Sequence, residues 1–482
     1  MRPGVAMLDE PRILGVVDDA LRTLESVGVM VENEAALALL RDAGQQERAG
    51  RVLLSQALVS RSLERAPSTV KLYDRAGALA LELGERRVHF DPGSAALYIL
   101  DAERGERRLA LAADARHLAW VTQACSHIQA QSTGLVPSDI PGGVADRYRL
   151  FVALRHCHRP VVTGTFVKEG FAVMRALLSA VRGGDQALRD RPLAIFDCCP
   201  SPPLRWSDLT CQALMDAARA GIPAELVSMP MAGATAPVTL REVVVQHCAE
   251  SLSGLVIHQL ACPGAPIIWG GAPAALDMRH GTTPMGAMET MMVDMANAQV
   301  GRHLDLPTHA YMGGSEAKTN DWQAGMEAGM GLALGALAGV NLIAGPGMLD
   351  YLLCQSLEKL LLDDQACGMA LRLVRGIEQR SSVPTPELLA QVVGRDHFLS
   401  HPHTRQHFRQ ELFFPSPLID RGSHGEWETR GRPTAADMAH EQVKEILAAG
   451  NPAPLDPALD REMVDIIQKD ADALGLGELL IV

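Results

Sequence analysis

Four aromatic rings, three carboxylates and a lysine fall where short apolar runs give way to polar or glycine-rich text. They are Phe90 and Asp91, Phe166, Asp197, Trp269, and Tyr311 with Glu316 and Lys318. Only 4% of the chain is aromatic, so four rings at run ends form a concentration. Ring faces beside a carboxylate suit a cation without N–H donors, which only ring quadrupoles and opposite charge can hold. The same rings could equally plug an apolar core, since rings line pockets of every kind. In "HAYMGGSEAKTNDWQ" (309–323), Glu316 and Lys318 could alternatively act as an acid–base pair. Asn320 and Gln323 have the spacing of a capping box, so part of that polarity is expected to start a helix. Loop residues Met229, Met231 and Thr235, and Met348 further on, are candidates for the approach of a bulky partner, because "SMPMAGATAPVTL" (228–240) is long and rich in small side chains.

The elements that would position these groups follow from a repeating texture. Eight short apolar, often β-branched runs recur: 87–90, 127–136, 160–167, 192–199, 222–229, 265–271, 307–314 and 339–346. Amphipathic segments separate them, such as "GFAVMRALLSAVRGG" and "WSDLTCQALMDAARAG". Eight strand–helix units favour an α/β fold of the (β/α)8 TIM-barrel type over an open doubly wound sheet. No G-x-G-x-x-G follows any run, which counts against a dinucleotide fold. In the first unit, "ALYILDAERGERRLAL" reads as an inserted hairpin. The expected organisation is a helical N-terminal extension (1–85), the barrel (86–350) and a helical C-terminal region (351–482). In such barrels the site forms at the C-terminal strand ends. Those ends also hold His89, Thr133, Ser138, Thr163, Thr165 and Asp350.

Composition removes several function classes. A formal charge of -13 with no long basic run argues against nucleic acid as a partner. The first twenty residues carry acidic groups where a signal peptide needs an apolar core, and the longest apolar runs are broken by Gly and Pro. A cytoplasmic, non-membrane protein is expected, with its nine cysteines reduced and the adjacent Cys198–Cys199 acting as small hydrophobes. His397, His401, His403 and His407 lack acidic or thiol companions, and Pro402 interrupts their helical register, so no metal is expected there. Serine-hydrolase, zincin and P-loop motifs are missing. The apolar C-terminal helical text makes a homo-oligomer the expected state.

More specific text follows the same order as a known family. "VHFDPGSAALYILD", "LVPSDIP", "SMPMAGATAPVTL", "AKTNDWQAGMEAGMG", "NLIAGPGMLD", "SLEKLLLDDQ" and "HFLSHPHTRQHF…WETRG" together resemble the trimethylamine methyltransferase family, from about residue 10 to the end. The resemblance implies a (β/α)8 protein that moves a methyl group from a methylated amine to the Co(I) of a partner corrinoid (cobalamin) protein. On that reading the chain itself binds no cofactor tightly. The archaeal trimethylamine enzymes carry pyrrolysine, and this chain has none. It is similar in this to relatives that act on glycine betaine and other quaternary amines, and a quaternary amine is the implied substrate. Its departing nitrogen leaves as a neutral amine and needs no proton, so the protein's work is positioning. A betaine carboxylate would want a donor, for which Lys318 or a backbone N–H pair near Gly313 and Gly314 is the candidate. A barrel lyase or hydrolase using Glu316 and Lys318, and a non-catalytic amine-binding protein, are the competing expectations.

Overall fold

The computed structural model describes residues 2–93, 95–394 and 397–482. Each of the eight apolar runs contains a strand or borders one. The strands are β1 (His89–Asp91), β2 (Gln131–Ser132), β3 (Val161–Thr163), β4 (Ala194–Cys198), β5 (Ala224–Ser228), β6 (Ile267–Gly271), β7 (His309–Tyr311) and β8 (Leu342–Ala344). A long helix follows each: α1 (Ala112–Ala124), α2 (Ala145–His156), α3 (Gly170–Arg182), α4 (Asp208–Ala220), α5 (Leu240–Ala261), α6 (Met288–His303), α7 (Trp322–Ala338) and α8 (Leu357–Arg375). The fold is α/β. Strands β2 to β6 form one parallel sheet in chain order, and β7, β8 and β1 form a second. At one junction Trp269 bridges Thr308 in parallel, and its N–H donates to the Pro307 carbonyl at 2.8 Å. At the other, the Phe90 carbonyl accepts from the N–H of Gln129 and Ala130, at 2.9 and 3.3 Å.

Helix ends obey local chemistry. Ser207 accepts from the Thr210 N–H at the start of α4, Asp321 from Ala324 in α7 and Ser356 from Lys359 in α8. Helices α3, α4 and α7 stop at Gly183, Gly221 and Gly339, each in the left-handed conformation that lets the last carbonyls pair.

Alternation along the strands sorts side chains between two environments. On β4 and the residue after it, Phe196 and Cys198 join the large core beneath the helices, whereas Ile195, Asp197 and Cys199 face the opposite way. The other face is apolar at the N-terminal end, where Ala130, Val162, Ile195, Ile268 and Leu342 cluster. Val70, Leu72, Leu81 and Leu83 close this end from below. They belong to an antiparallel hairpin, Val70–Tyr73 with Leu79–Leu83, whose Tyr73 N–H donates to the Pro192 carbonyl just before β4.

The N-terminal segment is therefore less helical than its periodicity predicts. Three helices (Glu10–Ser26, Glu34–Asp42, Gln56–Arg65) alternate with two hairpins, at 46–53 and 70–83. In "VKLY" the buried positions alternate with an exposed Lys71, a period of two within text that also supports a helical reading. The inserted hairpin between β1 and α1 is present, as Tyr98–Asp101 paired with Glu106–Leu109. After α8 the described residues form five further helical pieces. The last of these, Pro457–Ala473, lies on α2 and α3. No helix among the described residues is long and apolar enough to cross a membrane.

The hairpin floor is the element whose loss would expose the interior. Leu72→Ala should lower stability by about 2–5 kcal/mol, as expected for a buried leucine truncated in a closed core. Thermal or urea unfolding checks this, and an unchanged transition would mean that the hairpin seals nothing.

Candidate active site

Above the apolar floor the interior becomes ionisable. Asp91 from β1, Asp197 from β4, Glu225 from β5 and His309 from β7 share one layer. His309 Nδ1 lies 2.5 Å from Glu225 Oε1, with both side chains wholly enclosed. Beyond that contact, Asp91 Oδ1, Asp197 Oδ1, Glu225 Oε2 and His309 Nε2 are buried without a hydrogen-bond partner among the described residues. Burial drives the carboxyls of Asp91, Asp197 and Glu225 well above the usual carboxylate range and pushes His309 down. Mutual repulsion adds to this, since Glu225 raises both aspartates. The layer therefore favours neutral groups. Room for it comes from Gly270 on β6, where a Cβ would stand 2.3 Å from Glu225 Oε1.

A cavity of about 250 Å³ opens over this layer at the C-terminal strand ends. Its lining includes Asp197, Thr133, Thr163, Phe166, Tyr311, Met229, Leu352 and Arg149. This is smaller than the ~300–1,000 Å³ clefts typical of drug-sized ligands, so a small molecule fits best. Phe166 is fixed from α2: Asp146 Oδ2 accepts from the N–H groups of Phe166 and Val167 at 2.8 and 3.3 Å. One turn along the same helix, Arg149 donates from Nε to the Leu135 carbonyl at 2.9 Å and from Nη2 to the Thr133 carbonyl. Its guanidinium lies 4.8 Å from the centre of the Phe166 ring. Burial lowers Arg149 to about 10, which leaves it charged at neutral pH. The Asp146 chemistry extends outward: Arg147 pairs with Asp146 at 3.1 Å and with Asp470 of the last helix at 2.5 Å.

The sequence-derived candidates divide. Phe166, Asp197, Tyr311 and Met229 line the cavity, and Asp91 lies in the layer beneath it. Phe90 and Trp269 do not reach it. Both are buried on the helix-facing side, where Trp269 Nε1 donates to the Asn297 carbonyl at 3.1 Å. Their neighbours Asp91, Ile268 and Gly270 take the inward positions, and alternation leaves the rings outside. Glu316 is a brace. Its Oε1 accepts from Met285 and Gly286 N–H at 2.6 and 2.9 Å, and it borders a separate cleft of about 790 Å³. Lys318 donates to the Glu316 carbonyl, lies 3.5 Å from Asp350 Oδ1 and covers the Tyr351 ring at 4.2 Å. No Glu316–Lys318 ion pair exists among the described residues, and Lys318 is not part of the cavity lining. Met348 is fully buried against Gly93, so a partner cannot touch it; Met231 and Thr235 sit in a turn closed by the Met231 N–H on Thr235 Oγ1 at 3.0 Å.

The cap of α7 also differs from expectation. Asp321 serves as N-cap, Asn320 donates to Ser356 Oγ at 3.0 Å, and Gln323 donates to Glu327 at 2.9 Å. Glu327 in turn accepts from Ser315 Oγ and the Glu316 N–H. The motif "SLEKLLLDDQ" fastens the strand-end loops: Asp363 accepts from the Gly347 N–H at 2.7 Å and from Lys359 at 2.5 Å, and Asp364 holds His127. Asp350, Tyr351 and Leu352 all have φ between 51° and 65°, a left-handed run costing ~1–2 kcal/mol per residue, which places Leu352 over the cavity. Sequence reading missed Arg149, Glu225 and His309. The available signals were the carboxylate inside the apolar run "AELVS", the arginines interleaved with apolar residues in "RYRLFVALRH" and the histidine within "PTHAYMGG".

Asp91 offers a check on the neutral layer. Its folded-state titration lies above the ordinary ~4 of an unfolded aspartate, so folding favours the protonated form. That contribution is present below about pH 4 and is lost as pH rises towards the folded-state titration. Asp91→Asn escapes the loss. The stability of the variant relative to wild type should therefore grow between pH 5 and 8, by at most ~1.4 kcal/mol per pH unit. Parallel melting curves across that range would contradict the neutral layer.

Similarity to known proteins agrees over nearly the whole chain. A family model for trimethylamine methyltransferase matches residues 1–475. The trimethylamine methyltransferase of Desulfitobacterium hafniense (strain DSM 10664 / DCB-2) is 29% identical over 480 residues, covering 99% of this chain and 96% of that protein. The glycine betaine methyltransferase of Desulfitobacterium hafniense (strain Y51) is 29% identical over 475 residues, with 98% of each covered. Among solved structures, the monomethylamine methyltransferase of Methanosarcina barkeri aligns with a TM-score of 0.51 at 10% identity, over 91% of this chain and 88% of that one. At that identity the likeness speaks to fold alone.

Proposed function

The chain belongs to the trimethylamine methyltransferase family, and on that premise we propose that it transfers a methyl group from a quaternary amine to the Co(I) of a corrinoid carried by a partner protein. The observation that carries the reading is the small cavity in which Asp197, Phe166 and Tyr311 meet at the C-terminal strand ends. We further read the eight parallel strands as a closed (β/α)8 barrel of residues 86–350, flanked by the N-terminal segment and the C-terminal helices. The backbone contacts of Trp269 with Pro307 and of Phe90 with Gln129 support this.

The chemistry asks little of the protein beyond placement. The Co(I) lone pair forms the new bond to the methyl carbon while the C–N bond breaks, and its electron pair stays on nitrogen. The quaternary ammonium becomes a neutral tertiary amine, and no proton moves. A methyl group aimed out of the strand ends would meet the acceptor in line, which is an orientation effect. Positive charge vanishes from nitrogen as the bond breaks, so a dense anionic cage would stabilise the ground state and slow the step. One carboxyl, Asp197, with two rings is a restrained arrangement of this kind. Asp197 favours its protonated form in the empty site, so its charge appears when the cation arrives.

The alternative of a lyase or hydrolase needs Glu316 and Lys318 as an acid–base pair. Glu316 is instead saturated by backbone N–H groups, and Lys318 turns towards Asp350. Methyl transfer is tested by mixing the protein with a Co(I) corrinoid protein and quaternary amines and following the cobalt absorbance. Formation of methylcobalamin with at least one quaternary amine is expected, together with loss of most of the rate in Asp197→Asn. Tight amine binding without any methyl transfer would reassign the chain to an amine-binding role.

A further inference from the structure

The cavity is lined by one group of each charge sign, the buried Arg149 and the partly buried Asp197, which attract each other through space but form no ion pair among the described residues. Arg149 is 3% exposed, and its contacts are two backbone carbonyls and the face of Phe166. Asp197 Oδ1 is enclosed with no hydrogen-bond partner among the described residues. Buried guanidinium groups are ordinarily bonded to a carboxylate; Asp146 and Asp197 act on Arg149 through space, but its hydrogen bonds go to backbone carbonyls. Arg149 has the means to accept a carboxylate. Of its five N–H donors, Nε and one hydrogen of Nη2 are committed to carbonyls, which leaves three, including both on Nη1.

We propose that Arg149 is the specificity-determining residue of this site, taking the carboxylate of a short betaine while Asp197 faces its trimethylammonium end. The inference rests on the methyl-transfer reading and narrows it, since a zwitterion compensates both groups and a simple cation only one. A carboxylate gripped by a guanidinium fork would also fix the ligand's direction. Its methyl groups would then lie on the Asp197 and Tyr311 side. Lys318, a donor expected from sequence, faces Asp350 and Tyr351 instead.

Proton linkage gives a second signature. Asp197 is surrounded by Glu225 from β5, His309 from β7, Asp91 from β1 and Arg149 from α2. Burial and Glu225 favour its protonated form in the empty cavity, while an ammonium ligand favours the carboxylate. Binding should release a proton, and affinity should rise with pH until Asp197 ionises unaided.

Calorimetric titration of the full-length protein with glycine betaine, its methyl ester and choline tests the assignment. All three share the cation, and only the first carries the anion. Wild type should bind glycine betaine at least tenfold more tightly than the ester or choline, with proton release seen as a dependence on buffer ionisation heat. Arg149→Gln should bring glycine betaine down to the level of the ester and leave the ester within about threefold of its wild-type affinity. Arg149→Lys, which keeps the charge and loses the fork, should fall between the two. Equal binding of betaine and ester by wild type would overturn the proposal without any variant being needed. So would an Arg149→Gln protein that loses both ligands equally. Methyl transfer to Co(I) from choline as readily as from glycine betaine would overturn this inference and leave the methyltransferase reading intact. Failure of every quaternary amine to methylate Co(I) would instead strike that reading.

Discussion

Charge held without water is the constraint on which the rest of this structure depends. Asp91, Asp197, Glu225 and His309 lie between the two parallel sheets with one close contact among them, Glu225 to His309. A carboxylate taken fully out of water is too costly to keep, so such groups shift to neutral forms. The floor of leucines and valines beneath them and the loops above them keep the layer dry. A site built this way is quiet when empty and becomes charged when a cation enters. For the proposed reaction, which erases the substrate's charge, that is a suitable ground state: the attraction would develop on binding and fade with the bond.

A chain of buried contacts runs from the molecule's periphery to this layer. The last helix reaches α2 through Asp470 to Arg147 and through Asp460 to Arg155. Within α2, Asp146 holds the backbone of Phe166, and Arg149 lies against the ring so placed. The last helix is thus tied to the helix that carries Arg149 and holds Phe166. Breaking a buried charge pair leaves the survivor uncompensated, which is why such links are costly to interrupt.

Sequence reading located the strands well, because β-branched runs bounded by Gly and Pro report burial directly. It placed individual rings poorly. A one-position difference turns a side chain to the other face of a sheet, so Phe90 and Trp269 lie outside while Asp91 and Gly270 lie inside. Arg149 lies on a helix and not at a strand end, so the pattern of strand ends does not point to it. Every side chain of α2 from Ala145 to Leu154 is buried, and a helix enclosed on all sides must find a use for its arginines. Glu316 and Lys318 were conspicuous because they are polar and adjacent, yet polarity near a loop is more often backbone satisfaction than chemistry. Two backbone N–H groups on Glu316 make that point in this molecule.

The hairpin of residues 70–83 has a kinetic meaning beyond its packing. It seals the N-terminal strand ends, which leaves the C-terminal strand ends, where the cavity lies, as the way in. In the proposed reaction the amine, its demethylated product and the corrinoid must all use that doorway. A macromolecular acceptor seated there would trap whatever lies beneath it. The amine must therefore enter before the corrinoid protein docks, and the product must wait for it to leave. If the proposed reaction holds, the floor of the molecule sets the sequence of events at its roof, a compulsory order of addition and release that follows from topology.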